Sequence, residues 1–218
     1  MSFSKIEGIP GPGATAYSAI VARSPVMQDF YRDVIGEISS RASTKRILDI
    51  GTGPGYIPLT IAQKSLNVEI KAIDISPAML EIARNNARNA GMSDRCEFKY
   101  GSARNIPYPD GYFDLVISTL SFHHWAERKN CLKEIYRVLS PRGEAWIYEI
   151  RQDMTIEAKR QLRSKYGQLL SFIILYFVRL HSSVRLKEFQ EIASSPQTVF
   201  SESEVEDRGI TIKLRLLK

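Results

Sequence analysis

Apolar residues recur along this chain with two periods. Val26, Phe30, Val34 and Ile38 return every four positions, which predicts an amphipathic helix with Pro25 at its opening position. From residue 46 the pattern becomes short apolar runs alternating with helical stretches. RILDI (46–50), VEIKAIDI (68–75), CEFKYG (96–101), YFDLVIST (112–119) and GEAWIYEI (143–150) read as strands. Residues 55–64, 77–89 and 127–139 read as helices, with Gly91 stopping the second. YFDLVIST is apolar on both faces, as a central strand of a parallel sheet requires. Strands and helices alternating at this spacing predict a doubly wound, mostly parallel Rossmann-like α/β sheet with helices on both faces. Such a sheet binds its ligands at the carboxyl ends of the strands.

Beyond residue 150 the pattern is less regular. Residues 155–180 read as one long helix, basic at first and apolar at its end (LLSFIILYFV). Residues 185–193 read as a short helix, SESEVED (201–207) as a capped helical turn, and ITIKLRLL (210–217) as a strand by alternation. The apolar run 169–178 is too short to cross a bilayer. It reads first as core or a lid over the site, then as a dimer interface. Membrane-surface contact is disfavoured because no basic positions interleave the run.

Length and composition narrow the class. The chain has 218 residues, 44% apolar and 25% charged, which fits one globular domain with a full core. The net charge is +6, with no Lys/Arg run of the kind that marks a nucleic-acid arm. Residues 151–181 carry six basic and two acidic side chains, which reads as a solvated helix face before an anion or RNA site. Cys96 and Cys131 form no CxxC pair, so neither a metal nor a disulfide is expected. The first residues, MSFSKIEGIPGPG, lack an apolar leader core, which predicts a cytoplasmic protein.

The strongest chemical signal is Leu48-Asp49-Ile50-Gly51-Thr52-Gly53-Pro54-Gly55. A strand ends in an acid and runs through alternate glycines into a helix. Glycine permits the tight turn and the close approach of a ligand, and the helix start offers unpaired amides. A dinucleotide fingerprint beginning at Gly51 needs glycine at position 56, where Tyr56 stands; a pyrophosphate site is disfavoured. Asp74 lies 19 residues after Gly55, at the end of the next strand, where a carboxylate accepts bonds from both ribose hydroxyls. Its competing role, capping the following helix, falls better to Ser76.

With these residues in place, the stretches ILDIGTGPG, AIDISPAMLEIARNNA, GSARNIPYPDGYFDLVIS, LSFHHW and LKEIYRVLSPRGEAWI together resemble the class I S-adenosylmethionine-dependent methyltransferases, in the branch acting mostly on small molecules. The resemblance covers residues 46–150, about half the chain. It implies S-adenosyl-L-methionine as cofactor. Asp49, Gly51, Thr52 and Gly53 would hold its methionine end, and Asp74 its ribose. Ile75 would pack on the adenine, Ser102 and Ala103 would face the adenine edge, and Ser118 would approach the methionine. Tyr17 falls in the segment that closes over the cofactor in relatives. Ser102 stands where the branch commonly has aspartate, which implies weaker adenine recognition, since bonds to charged groups are worth roughly 1.5–3 kcal/mol against about 1 for neutral ones.

His123 and His124, just past the fourth strand, are the candidate general bases; their competing role, with Trp125, is to shape the pocket and pack the next helix. The whole chain reads as a single domain. Residues 1–45 close the site, 46–150 bind the cofactor, and 151–218 form a helical lid and the last strand. One further strand usual in relatives has no clear candidate: either the sheet is short by one strand or an earlier segment, near 198–200, contributes it. The expected function is methyl transfer to a nucleophile on a small molecule, by a monomer or homodimer. An RNA- or protein-directed methyltransferase and a non-methylating S-adenosylmethionine binder are the alternatives. The Asn/Asp-Pro-Pro-Tyr tetrad of adenine-amino methylases is absent, Ser118-Thr119-Leu120-Ser121 standing in its place.

Overall fold

A computed structural model describes residue 18 and residues 23–41, 44–181, 184–195 and 199–218. Helix α1 (Pro25–Ser39) is followed by β1 (Arg46–Ile50), α2 (Tyr56–Lys64), β2 (Glu69–Asp74), α3 (Pro77–Asn89), β3 (Cys96–Tyr100) and β4 (Phe113–Thr119). A 3₁₀ turn (Phe122–His124) leads to α4 (Arg128–Val138) and β5 (Leu139–Ile150). Then come α5 (Ile156–Tyr166), α6 (Gln168–His181), α7 (Leu186–Ala193), β6 (Glu202–Arg208) and β7 (Thr211–Leu217). Two prolines open helices as expected: Ser24 caps α1 and Ser76 caps α3, each accepting from the amide three residues on.

The strands form one sheet in the order β3-β2-β1-β4-β5-β7-β6. β1 to β5 are mutually parallel, so their carboxyl ends share one rim. The strand order reverses between β1 and β4, and that crevice is where a doubly wound sheet takes its ligand. Strand alternation sorts the side chains into two cores. Ile47, Ile70, Ala72, Leu115 and Ile117 pack under α1, α2 and α3. Leu48, Ile73, Val116, Ala145 and Ile147 pack under α4 and α7. Each fully buried Ile, Leu or Val contributes roughly 1.5–3 kcal/mol, so the five strands are rigidly fixed and the rim with them.

Two expectations are corrected. The single helix over 155–180 is two, broken at Gly167, whose φ of +80° and ψ of 166° leave helical space. The break lets α5 fold back on α6, with Met154, Ala158 and Val178 in a small shared core. The apolar run is therefore divided: Ser171 and Val178 are buried, whereas Leu169, Phe172, Ile173 and Tyr176 are exposed. Secondly, SESEVED is not a helical turn. All of it but Ser201 lies in β6, the edge strand, antiparallel to β7. Its register sets Glu204 opposite Arg215 and Glu206 opposite Lys213, and both pairs close as ion pairs. Cross-strand charge, not apolar alternation, selects the strand. β7 is inserted antiparallel between β5 and β6, and β6 supplies the strand without a sequence candidate. Among the described residues no helix is long and apolar enough to cross a membrane.

A charged layer fastens α1 to this end of the sheet. Glu144 is buried and accepts from Arg41 at 2.6 and 2.7 Å, Arg215 at 2.8 and 3.0 Å, and Trp146 Nε1 at 2.7 Å. Burial opposes its ionisation, but the bonds from Arg215, Arg41 and Trp146 outweigh that and hold the carboxyl at about 2. A depressed carboxylate stabilises the fold above its unfolded value of 4.5, and the benefit fades as pH falls toward 2. Glu144→Ala strands two guanidinium groups and should lower unfolding free energy by about 3 kcal/mol at pH 7. Urea denaturation should also show that gap narrowing below about pH 4. A gap that is unchanged at pH 3 would contradict this assignment.

Candidate cofactor and acceptor site

The glycine loop after β1 is built by three left-handed residues: Gly51 at φ +72°, Gly53 at +54° and Gly55 at +79°. At Gly51 a Cβ would fall 2.4 Å from both Cβ and Oγ of Ser121. At Gly55 it would meet the Phe98 ring and Ala83 at 3.0–3.1 Å. At Gly53 no atom lies within 4 Å, so that glycine faces open space. The loop is tied to β2: the Gly51 and Thr52 amides both donate to Ile73 O, at 2.9 and 3.1 Å.

Asp49 is on the α1–α3 side of β1 and almost fully buried. Its Oδ1 and the Thr52 hydroxyl have no hydrogen-bond partner. Burial pushes the Asp49 carboxyl up to about 7, partly offset by the nearby Thr52 side chain and reinforced by the charge of Asp74. Buried polar atoms left unsatisfied cost free energy, so this corner is complete only with a donor or cation from outside.

Asp74 sits opposite the loop. Its Oδ2 accepts from the Gly53 amide at 2.8 Å and its Oδ1 from the Ser76 amide at 2.8 Å. Burial raises its pKa, against the pull of the Ser76 and Gly53 amides. The carboxylate thus clamps the glycine loop to the β2 turn, a role the sequence did not reveal. Each oxygen retains a further lone pair. Half-buried Ile75 follows it. Gly101 donates to Asp74 O at 3.2 Å, which carries half-buried Ser102 and buried Ala103 to the same rim.

Ser118, next to last in β4, is buried, and its hydroxyl lies 2.7 Å from that of Ser121. Ser121 donates to Ile50 O at 3.1 Å and accepts from Trp125 Nε1 at 3.3 Å. The structure therefore brings Asp49, Gly51, Thr52, Gly53, Asp74, Ile75, Ser102, Ala103 and Ser118 to one rim. Tyr17 lies outside the described residues. Its neighbour Ser18 shares a 2.9 Å hydroxyl contact with Tyr56 at the head of α2.

His123 and His124 occupy the 3₁₀ turn, their rings 4.1 Å apart. His123 Nδ1 lies 3.1 and 3.2 Å from the two oxygens of Glu149, and its amide donates to Glu149 Oε1 at 3.1 Å. Sequence reasoning missed Glu149, Ser121 and Tyr56. For Glu149 a signal existed: a carboxylate near the end of a strand buried on both faces requires a partner.

The remaining candidates are placed elsewhere or are inert. A polar cavity of about 180 Å³ lies at the opposite rim, lined by Arg41, Asp114, Arg142 and Glu144 among others. Cys96 and Cys131 are buried thiols that are not joined in a disulfide, and burial pushes the Cys96 thiol up to about 11. Among the described residues no group of His, Cys, Asp or Glu is arranged to hold a metal ion.

Comparison with known proteins agrees with this geometry. A family described as a methyltransferase domain matches residues 48–147. A demethylmenaquinone methyltransferase from Thermus thermophilus is 35% identical over 113 residues, 52% of this chain and 50% of that protein. A 27-O-demethylrifamycin SV methyltransferase from Amycolatopsis mediterranei is 38% identical over 98 residues, 45% of this chain and 36% of that protein. The chain thus spans half or less of the length of these curated relatives. A crystal structure from Methanococcus maripaludis, provisionally described as an S-adenosyl-L-methionine-dependent methyltransferase, superposes with a TM-score of 0.77. It covers 100% of this chain and 97% of that one at 25% identity.

Proposed function

We propose that this chain, which belongs to the class I S-adenosylmethionine-dependent methyltransferase superfamily through its matched core, moves a methyl group from S-adenosyl-L-methionine to a small molecule. The observation that carries the reading is the unsatisfied pair at the crevice: Asp49 Oδ1 and Thr52 Oγ1, buried and without partners beside a glycine that faces open space. The donor set fits the cofactor. Asp49 suits the methionine ammonium, the loop around Gly51, Thr52 and Gly53 its main chain, and Asp74 the ribose hydroxyls. Ile75, Ser102 and Ala103 suit the adenine, and Ser118 the methionine.

The cofactor supplies an already activated methyl group. The chain's own task is to hold the acceptor in line and exclude water, and orientation of this kind supplies roughly 7–11 kcal/mol of a barrier. In this reading 46–150 bind the cofactor, and the helices that follow cover the acceptor. His123 and His124 face proton transfer where the acceptor requires it. The relatives' names favour a small-molecule acceptor over RNA or protein. A cytoplasmic protein, monomeric or homodimeric, completes the proposal.

Calorimetric titration with S-adenosylmethionine, S-adenosylhomocysteine and NAD tests it. Micromolar binding of the first two and none of NAD is expected. NAD binding alone, or no binding, would overturn it. Asp74→Ala removes bonds to two hydroxyls and also frees the Gly53 and Ser76 amides. S-adenosylhomocysteine should then bind at least about 1 kcal/mol more weakly. An unchanged dissociation constant would sink the ribose assignment.

A further inference from the structure

We propose that Glu149 positions His123 as the general base of this site, and that the acceptor is a hydroxyl compound, a phenol or an alcohol. The inference rests on the methyl-transfer reading above. Glu149 lies on the α4 side of β5, one residue from the strand's carboxyl end, and is 1% exposed. A carboxylate so buried must be compensated. Its compensation is His123, through the backbone amide at 3.1 Å and through Nδ1 at 3.1 and 3.2 Å. Arg128, stacked over Phe122 at 4.5 Å, adds positive charge within electrostatic reach.

A carboxylate only accepts hydrogen bonds. Two carboxylate oxygens around Nδ1 therefore keep the proton on Nδ1 and make Nε2 the basic nitrogen of the neutral ring. The backbone holds the ring in place as well. Leu120 takes a left-handed φ of 53°, its amide fastened to Tyr148 O at 2.9 Å, and the chain then turns into Phe122–His124. Phe122 is fully buried beneath this turn. An oriented base, a buried carboxylate behind it and a fixed tautomer form the arrangement that general-base catalysis needs. His124, on the same turn, has its ring tilted against that of His123, and the carboxylate selects His123 of the two.

The base also narrows the acceptor. A neutral amine attacks before it loses its proton, and a thiol ionises readily near pH 8.5. A phenol near pH 10, or an alcohol above it, gains most from a base. His123 Nε2 takes the hydroxyl proton while the oxygen bonds to the methyl carbon and the carbon–sulfur bond breaks. The sulfur is left as a neutral thioether. The imidazolium so formed faces the Glu149 carboxylate and later releases its proton to water.

The chain has three histidines, so ¹⁵N-histidine NMR resolves His123 directly, with S-adenosylhomocysteine as the probe in the site. The wild type should show a proton on Nδ1. In Glu149→Gln the side-chain amide offers a donor to Nδ1, and the proton should move to Nε2. Turnover is read on a panel of 4-methylcatechol and 1-octanol beside octylamine and octanethiol. Methyl transfer to the hydroxyl members should fall about 10²–10⁴-fold in kcat for Glu149→Gln and His123→Asn, with KM changed only a few fold. Glu149→Asp, which keeps the charge, should keep the tautomer and part of the rate. A proton on Nε2 in the wild type, an unmoved proton in Glu149→Gln, or unchanged kcat would overturn the role of Glu149. Transfer to the amine or thiol but to neither hydroxyl compound would overturn the acceptor class. Failure of the wild type to bind S-adenosylhomocysteine would instead overturn the underlying reading, while the tautomer in the free protein still judges the Glu149–His123 pairing.

Discussion

Asp49→Asn is expected to make the protein harder to unfold at pH 8 while sharply weakening its hold on S-adenosylmethionine. Burial places the Asp49 carboxyl near 7 in the folded chain, against 3.8 when exposed. A group whose folded value is raised stabilises the fold fully below its unfolded value, and that stabilisation is lost as pH climbs to the folded value. Between about pH 4 and 7 the wild type therefore loses stability that asparagine, having no proton to lose, retains. The distance between the folded and exposed values sets an upper bound of about 4 kcal/mol on that loss. Asparagine must still place a buried amide beside the Thr52 hydroxyl, so a gain of about 2 kcal/mol, or roughly 4–8 °C in Tm, is the expected size at pH 8. Below about pH 4 the two proteins should converge. The cofactor reverses the order. Its ammonium favours the ionised carboxylate, so binding should strengthen as pH rises from 6 to 8 and release a proton in the wild type alone. Thermal unfolding at several pH values, with calorimetry in buffers of different ionisation enthalpy, reads all of this. A variant no more stable at pH 8, or one that binds with wild-type affinity, would break the link between Asp49's strain and its ligand.

That link is a general feature of how this rim is made. β1 to β5 and the helices between them are legible in the sequence because the central strands are buried on both faces and each helix on one. Those demands leave clear periods in RILDI, YFDLVIST and the Val26–Ile38 helix. Local chemistry adds Ser76 and Pro77 at the head of α3 and the glycines after β1. Period misleads where tertiary context outweighs it. Helix propensity runs unbroken through residues 155–180 apart from Gly167, and one left-handed glycine turned the apolar end back on the basic one. Glu202–Arg208 has no apolar alternation to read; its pairing partner, β7, supplies the cations that make it a strand.

The proposed site was legible in its candidate ligand residues and not in its supports. Asp49, the glycines and Asp74 announce themselves through residue type and spacing. Glu149, Ser121 and Tyr56 act through residues distant in sequence: His123, 26 positions away, Ile50, 71 away, and Ser18, 38 away. No spacing rule connects them. Asp74 shows the same limit from the other side. Its type and position suggest a ribose ligand or a helix cap, whereas the carboxylate also locks the Gly53 amide, so the proposed binding group is scaffold as well.

Gly51→Ala should be the most disruptive single methyl group in the molecule, because it strikes scaffold and site together. A left-handed φ of +72° costs an L-residue about 1–2 kcal/mol. The added Cβ would also sit 2.4 Å from Ser121 Cβ and Oγ, and Ser121 cannot yield freely. Its hydroxyl joins Ile50 O, Ser118 and Trp125 in one network, which fixes the end of β4 to the end of β1. Displacing it breaks three bonds of about 1 kcal/mol each. The expected loss is therefore about 4–5 kcal/mol in urea unfolding, with S-adenosylhomocysteine binding lost as well. Ser121→Gly separates the two causes. In the double variant the clash is gone, and the strain of the left-handed alanine adds to the Ser121 bonds lost once rather than twice, so the two substitutions should be non-additive by at least about 1 kcal/mol. Additive losses would mean that Gly51 is required for its backbone angle alone, and that an added Cβ there does not displace Ser121.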